Sequence, residues 1–230
     1  MNDFFQNSVY FGVVITFLSY GLGIFLKNKY KKPIFNPLLL AILFTIASLS
    51  IFRVDYRLYR EGSKYISYLL TPATICLAVP LYEEFERMKE NIAAILIGIL
   101  TGVATSLGTV LLLSSLFRLD HTSYVTLLPK SITTAIGIGV SEELGGYVPL
   151  TVAVIILTGV LGNILAESLC KLFHITEPIA KGIAIGSASH AIGTSKAMEI
   201  GEIEGAMSSL SIVVSGLVTV IFANLFANFL

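Results

Sequence analysis

Charged residues divide this chain into long uncharged stretches. Six stretches of about 18 residues or more contain no Lys, Arg, Asp or Glu, namely 4–26, 33–52, 65–82, 91–117, 144–166 and 205–230. A helix needs about 20 residues to cross the roughly 30 Å hydrocarbon core of a bilayer. The pattern therefore predicts a transmembrane helix in each of these stretches.

Two shorter uncharged pieces, 131–141 and 182–195, do not fit this pattern. Neither is long enough to cross a bilayer as a helix, so each must include flanking charges or turn back inside the protein. The stretch 65–82 is also interrupted, by Pro72 and Pro80. We therefore predict an all-α polytopic membrane protein with about seven to eight transmembrane segments, some of them broken or re-entrant helices.

The composition agrees with a membrane protein. Of the 230 residues, 55% are hydrophobic and 13% are charged, whereas soluble domains carry about 25% charged residues. The net charge of zero gives no basic surface for nucleic acid. Cys76 and Cys170 lie in apolar runs, which indicates small core residues rather than a disulfide or metal pair. The N-terminus lacks a basic region and a cleavage signal, so 4–26 is expected to be a retained span.

The orientation in the membrane stays open. The four lysines of the loop 27–32 predict a cytoplasmic position for that loop. The next loop, 53–64, carries three arginines and a lysine and would then face outward. Either the first two segments are not a simple hairpin, or residues 53–64 form an interfacial helix.

An internal repeat relates two parts of the chain. A shift of 57 residues lays ILTGV at 99–103 on ILTGV at 156–160, and the same shift pairs Pro72 with Pro129. Each unit is a broken polar segment followed by a glycine-containing span, which in transporters marks the binding site. Whether the units are parallel or inverted is open. We expect residues 1–64 to form scaffold and oligomerisation helices and residues 65–230 to form a transport core.

The first candidate site segment comprises Thr71, Pro72, Ala73 and Thr74. A proline removes a backbone donor and frees a carbonyl one turn earlier, and such groups cannot face lipid without a cost. Two interpretations are open. The segment is either a kinked helix whose threonines bond their own backbone, or a half-helix whose exposed N–H groups meet an anion.

The second candidate segment comprises Pro129, Lys130, Ser131, Thr133 and Thr134. Pro129 suits the first turn of a helix, which predicts that the lysine and the hydroxyls lie beside the positive end of a helix dipole. Together they would form a pocket for a carboxylate. Alternatively, Lys130 extends to the membrane interface.

The third candidate segment comprises Ser189, His190, Gly193 and Thr194. His190 lies among small residues that allow close approach of a backbone or a ligand. It is either a structural hydrogen-bonding residue or, as an ionisable group in the membrane, a functional one. His190 and Glu204 are the candidates for ion coupling. The chain shows no motif of an enzyme, so we predict no catalytic residue, metal or cofactor.

Three sequence pieces resemble a known family. They are TPATICLAVPLY at 71–82, LPKSITTAIGIGVSEELGG at 128–146 and IAIGSASHAIGTSKAMEIGEIEGAMSSL at 183–210. They resemble the LrgB/CidB family of bacterial membrane proteins, which is related to the plastidic glycolate/glycerate translocator of plants. The resemblance covers essentially the whole chain. Thr71 stands where the family usually has glycine and Ala135 where it usually has proline, so the local geometry of these breaks is open.

The resemblance implies one of two functions for a multi-pass protein of the bacterial inner membrane. One is an antiholin-like regulator of murein hydrolase export and cell lysis, acting with a small LrgA/CidA-type membrane partner. The other is a carrier of small 2-hydroxy or 2-oxo monocarboxylates such as glycolate, glycerate, lactate or pyruvate, coupled to H⁺ or Na⁺ and working by alternating access. The lysine and hydroxyls between broken helices favour the carrier. We also expect a homodimer formed through the first spans.

Overall fold

The computed structural model describes residues 10–30, 35–76 and 78–230. The side chains of Leu70, Thr71, Thr74, Pro80, Leu81 and Arg87 lie outside this description. The described residues form α1 (Phe11–Tyr30), α2 (Pro37–Ile51), α3 (Tyr56–Tyr68), α4 (Leu70–Cys76), α5 (Ala78–Glu83), α6 (Phe85–Glu90), α7 (Ile92–Leu116), α8 (His121–Leu127), α9 (Thr134–Glu143), α10 (Val148–Leu172), α11 (Pro178–Ile200) and α12 (Glu202–Ala227).

Four of these helices are long and apolar enough to cross a membrane, namely α1, α7, α10 and α12. The 15-residue α2 is a shorter apolar helix. The predicted span 65–82 is divided among the end of α3, α4 and α5, as its prolines suggested. The chain is therefore an all-α, polytopic integral membrane protein.

The chain divides into two compact units, Met1–Cys76 and Leu77–Leu230. In the first unit, glycines allow close packing of α1. A Cβ atom added at Gly12 would lie 2.5 Å from Tyr59 O on α3, and one at Gly23 would lie 2.7 Å from Pro37 O on α2. Asp55 caps the separate helix α3. The interfacial interpretation of residues 53–64 stays a prediction.

In the second unit, α11 is a helical hairpin rather than one straight helix. His190 has φ 44° and ψ −145°, which breaks the helix within its 23 residues. A straight helix of this length would be about 34 Å long. Instead, Lys181 near its start lies 3.5 Å from Glu204, just beyond its end, and Ile185 packs in one cluster with Ala197. The two arms, 178–189 and 191–200, therefore run back along each other.

A second hairpin is formed by α8 and α9. Thr126 in α8 accepts a hydrogen bond from the backbone N–H of Tyr147, which follows α9, at 2.8 Å. Thr151 on α10 links both arms, because its hydroxyl contacts Ser141 in α9 at 2.7 Å and donates to the backbone carbonyl of Thr126 at 3.0 Å. The turn of this hairpin is residues 128–133.

The two hairpins lie along opposite halves of the long helices. The α11 hairpin contacts the second half of α10, where Lys196 pairs with Glu167 at 2.6 Å, whereas the α8–α9 hairpin contacts Thr151 near the start of α10. Along α12 the order is reversed. Glu204 near its start pairs with Lys181 of α11, whereas the carbonyl of Phe226 near its end accepts a hydrogen bond from Tyr124 in α8 at 2.8 Å. Thus α10 and α12 are antiparallel.

The internal repeat has a structural counterpart in α7 and α10, which are both 25 residues long. Gly102 and Gly159 are paired by the 57-residue shift, and both face α11. A Cβ atom at Gly102 would lie 2.7 Å from Ser187 Oγ, and one at Gly159 would lie 2.7 Å from His190 Cε1. α7 contacts α11 through its first half, whereas α10 contacts α11 through its second half. These two copies therefore run in opposite directions. This is the arrangement of an inverted repeat.

Candidate functional site

The turns of the two hairpins both reach Ile155, the eighth residue of α10. The backbone carbonyl of Ile155 lies 2.9 Å from His190 Nε2 at the turn of α11. The side chain of the same residue packs on Gly137, the fourth residue of α9, where a Cβ atom would also lie 3.6 Å from Pro129 O. The sequence-predicted segments 129–134 and 189–194 are thus brought to the two sides of one residue.

His190 occupies a backbone conformation that is unfavourable for any residue with a Cβ atom. Its φ of 44° and ψ of −145° lie outside the common left-handed region, and residues held in such regions store on the order of 1–3 kcal/mol. The side chain is 2% exposed. Since a carbonyl can only accept, Nε2 carries the proton in the bond to Ile155. The predicted break at this segment is confirmed.

The neighbours of His190 hold the turn of α11 against two long helices. Ser189 packs so closely on α10 that Gly162 has no room for a side chain. Asn163 donates to the Ile192 carbonyl at 2.8 Å. Thr194 donates to the His190 carbonyl at 3.0 Å and lies 2.7 Å from Ser208 on α12. Ser189 and Thr194 therefore position the turn.

Gly193 allows the two arms of α11 to approach each other. A Cβ atom at this position would contact Ser189 and would lie 3.2 Å from Ile185 Cγ2 on the first arm. The residue is buried and lies three positions after the break. In this structure it provides space for packing. The substrate contact that the sequence predicted for Gly193 stays a prediction.

Lys130 and Ser131 lie at the turn of the α8–α9 hairpin. The Lys130 ammonium donates to Ser131 Oγ at 2.9 Å, and Ser106 on α7 donates to the same oxygen at 3.1 Å. A hydroxyl that accepts two bonds keeps its own O–H for a third group. Lys130 is half-buried, and no carboxylate in the described part of the chain pairs with it. This turn therefore presents a cation and a hydroxyl donor.

The predicted position of Pro129 in the first turn of a helix is wrong. Pro129 follows α8 and ends it, because a proline at this place has no N–H to donate to the preceding turn. The next helix begins at Thr134, with Thr133 as its N-cap in extended conformation and without a side-chain cap hydrogen bond. Lys130 and Ser131 consequently lie in the turn before the helix, and only Thr134 is in its first turn.

The segment Thr71–Thr74 belongs to the first compact unit. Its backbone is helical in α4, and the side chains of Pro72 and Ala73 are exposed. The side chains of Thr71 and Thr74 fall outside the described residues. The predicted meeting of this segment with the turns of the two hairpins stays a prediction.

Glu204, one of the two candidates for ion coupling, is held in an ion pair. It is 7% exposed in the first turn of α12 and pairs with Lys181 at the start of α11. A carboxylate near the N-terminus of a helix is also favoured by the helix dipole. Glu204 therefore fastens the first arm of α11 to α12. It lies at the open end of the hairpin, away from His190.

A cavity of about 580 Å³ occupies the open end of the α11 hairpin. It is lined by both ends of α11 and by the last turns of α10, and it contains charged groups of both signs. Its lining comprises Glu167, Cys170, Lys171, His174, Ile175, Thr176, Lys181, Glu199 and Ile200. This cavity thus lies at the open end of the α11 hairpin, whereas the predicted site residues 189–194 lie at its turn.

Sequence reasoning missed three polar residues at the level of the hairpin turns. They are Ser106 on α7, Asn163 on α10 and Ser215 on α12. Ser106 and Asn163 carry no local signal, because their partners are distant in the sequence. Ser215 continues a polar face of α12 with a spacing of three to four residues, which begins at Glu204, Ser208 and Ser211.

These features define an integral membrane protein in which two re-entrant helical hairpins meet inside a bundle of long helices. Re-entrant backbone at membrane depth is tolerated where it is buried in protein or lines a water-filled cavity. In transporters such breaks form the sites for substrates and ions.

The chain belongs to the LrgB-like family, whose model matches residues 16–229. It is 39% identical over 219 residues to a holin-like protein CidB of Staphylococcus aureus (strain Mu50), covering 95% of each chain. It is 36% identical over 222 residues to antiholin-like proteins LrgB of Bacillus mycoides and Bacillus cereus, covering 96% of each. No solved structure matches the chain. The family prediction is confirmed, and the names of these relatives support the lysis-related alternative more than the carrier.

Proposed function

We propose that this protein carries small monocarboxylates of the 2-hydroxy or 2-oxo class across the bacterial inner membrane. The observation that carries the proposal is Lys130. It is a half-buried cation at a hairpin turn whose described side-chain partner is the Ser131 hydroxyl. A charge removed from water is costly unless a counter-charge accompanies it. A substrate carboxylate supplies that counter-charge.

The groups beside Lys130 suit a small anion. The Ser131 O–H is available as a donor, because its oxygen already accepts from Lys130 and Ser106. A carboxylate would accept from both the ammonium and this hydroxyl in charge-assisted hydrogen bonds. The His190 turn lies on the opposite side of Ile155 and would close the site from the other hairpin.

Coupling to a proton rests on the tautomer of His190. Nε2 donates its proton to the Ile155 carbonyl, so Nδ1 is the nitrogen that would gain a second proton. Protonation there would add a positive charge beside the site when the anion is bound. We propose H⁺ as the coupled ion, in preference to Na⁺.

The test is uptake of labelled glycolate, lactate and pyruvate into liposomes that contain this protein alone. We expect saturable uptake, and we expect Lys130→Ala to reduce it at least 100-fold, because a buried carboxylate loses its counter-charge. Lys89→Ala is the matched control, since Lys89 is exposed and pairs with Glu86 at 3.0 Å. Absence of uptake by the unchanged protein would refute the carrier, and equal uptake by the two variants would refute the role of Lys130.

A second candidate function is regulation of lysis, which the names of the relatives favour. In that case the protein would act with a small LrgA/CidA-type membrane partner, and a homodimer through the first spans would be one of its assemblies. The liposome assay separates the two functions. Leak of unrelated dyes indicates a pore, and tight binding of a small partner without carboxylate flux indicates a regulator.

A further inference from the structure

One face of α12 is polar along its buried length. Glu204, Ser208, Ser211, Ser215 and Thr219 follow one another at intervals of three or four residues, so they lie on one side of the helix. All five are at most 7% exposed. The stripe spans about 22 Å at 1.5 Å per residue, which is most of the thickness of a bilayer core. It therefore runs from the open end of the α11 hairpin past its turn.

The polar groups in the N-terminal part of this stripe have partners on α11 or on α12 itself. Glu204 pairs with Lys181, and Ser208 lies 2.7 Å from Thr194 Oγ1. Ser211 donates to the carbonyl of Met207 at 2.8 Å. These groups are satisfied within the protein, so none of them requires a ligand.

Ser215 differs from these three residues of the stripe. Its side chain is 2% exposed, and its hydroxyl has no hydrogen-bond partner among the described residues. Serine in a helix commonly donates to the carbonyl four residues earlier, as Ser209 does to Gly205 at 2.9 Å. A buried hydroxyl without a partner lowers stability, because its loss of hydration is not compensated. Because the described residues leave this hydroxyl unpaired, it is available to a ligand bound beside it.

Ser215 lies on α12 between a residue that contacts the α11 hairpin and a residue that contacts α9. One turn before it, Ser211 packs on Gly186 of the α11 hairpin, where a Cβ atom would lie 2.8 Å from Ser211 Cβ. Directly after it, Gly216 faces α9, where a Cβ atom would lie 2.9 Å from Ile136 Cδ1. Ser215 therefore lies on α12 between its contact with the hairpin that carries His190 and its contact with the hairpin whose turn carries Lys130.

We propose that the Ser215 hydroxyl binds the oxygen on C2 of the substrate and thereby selects 2-hydroxy and 2-oxo acids over unsubstituted acids. This inference rests on the proposed carrier function. A serine hydroxyl both donates and accepts, so it pairs equally with a 2-hydroxyl or a 2-oxo group. The carboxylate has its counter-charge at Lys130, whereas a neutral hydroxyl suits the neutral oxygen. A site with a buried hydroxyl rejects an analogue that leaves this hydroxyl unpaired.

The test compares transport of glycolate and acetate, which differ only in the 2-hydroxyl. In the unchanged protein we expect kcat/KM for glycolate to exceed that for acetate at least tenfold. In Ser215→Ala we expect this ratio to fall at least tenfold through loss of glycolate transport, with acetate transport changed less than threefold. Glycolate should raise the Tm of the unchanged protein in detergent and raise that of Ser215→Ala less.

Ser114→Ala is the matched control. Ser114 is also a buried serine without a hydrogen-bond partner among the described residues, and it lies on α7, two turns beyond Ser106. This variant should retain the glycolate preference. Both variants should fold, since each removes an unpaired buried hydroxyl.

The outcomes separate this inference from the carrier function. If the unchanged protein transports no carboxylate, the carrier function fails and the inference fails with it. If it transports glycolate but Ser215→Ala keeps the preference over acetate, only the role of Ser215 is refuted. An equal loss of preference in Ser114→Ala also refutes that role.

Discussion

At the scale of single residues, the backbone conformation at the turn of α11 is unfavourable for the residue that occupies it, His190. A φ of 44° at His190 places Cβ in a region that glycine occupies freely and other residues enter only with strain. The imidazole offsets part of this strain through its hydrogen bond to Ile155 and its packing on Gly159. Strained residues of this kind cluster at sites that bind or switch.

Replacing His190 by glycine and by alanine tests this strain. Both variants lose the imidazole, but only alanine keeps a Cβ atom in the unfavourable conformation. We expect His190→Gly to be more stable than His190→Ala by about 1 kcal/mol or more, measured by unfolding in detergent micelles. In a regular helix the order is reversed, with glycine less stable by about 0.5–1 kcal/mol. A lower stability of the glycine variant would therefore show that the helix is continuous at this residue.

The break at His190 was predictable because its signal is local. Only 14 residues separate Lys181 from Lys196, which is too few for a span, and they include three glycines and several hydroxyls. The role of Pro129 was not predictable in the same way. A proline suits the first turn of a helix but also ends the helix before it, and only tertiary packing decides between these outcomes. The Ser131–Ser106 contact likewise joins residues 25 positions apart.

At the scale of elements, glycines determine how closely the α11 hairpin approaches the long helices. Ser189 fills the space at Gly162 on α10, and Ser208 and Ser211 fill the space at Gly186. Small residues at helix contacts let backbones approach, and the packing of close surfaces is what associates helices in a membrane. The hairpin is consequently fixed by shape as well as by its hydrogen bonds.

A methyl group at one of these contacts should loosen the hairpin. We expect Gly162→Ala to lower the free energy of unfolding by about 1–3 kcal/mol, because its Cβ would overlap the Ser189 side chain. Gly108→Ala is the control, since a Cβ atom there meets nothing within 4 Å; it should be neutral or stabilising by up to about 1 kcal/mol. Adding Ser189→Gly to Gly162→Ala should restore part of the loss. An equal effect of both alanines would contradict the contact.

At the scale of the whole molecule, the sequence predicted the class of fold but not the path of the chain. Hydropathy alone identifies α7, α10 and α12, because each contains a long uncharged stretch. It does not reveal that α10 runs against α7 and α12, since that direction depends on whether the segments between them cross. The 57-residue repeat identified the two related helices, yet left their relative direction open.

Single cysteines test the path of the chain, in a background where both native cysteines are replaced by serine. If α8–α9 is a re-entrant hairpin, His121→Cys and Glu142→Cys should react with a membrane-impermeant thiol reagent from the same face. Thr176→Cys and Glu202→Cys should react together from the opposite face. All four positions are exposed. Reaction of either pair from opposite faces would mean that the segment between them crosses the membrane.

The entry of the two hairpins from opposite ends of α10 has an electrical consequence. Where water enters beside each hairpin, the insulating layer shrinks from the full bilayer to the few residues around Ile155, and the membrane voltage falls across that layer. If the protein carries anions as proposed, an anion moving past Ile155 would cross most of the voltage over a short distance, at about 2.3 kcal/mol per charge for each 100 mV. Transport of a single uncompensated charge would therefore depend steeply on voltage, whereas co-movement of a proton would cancel that dependence.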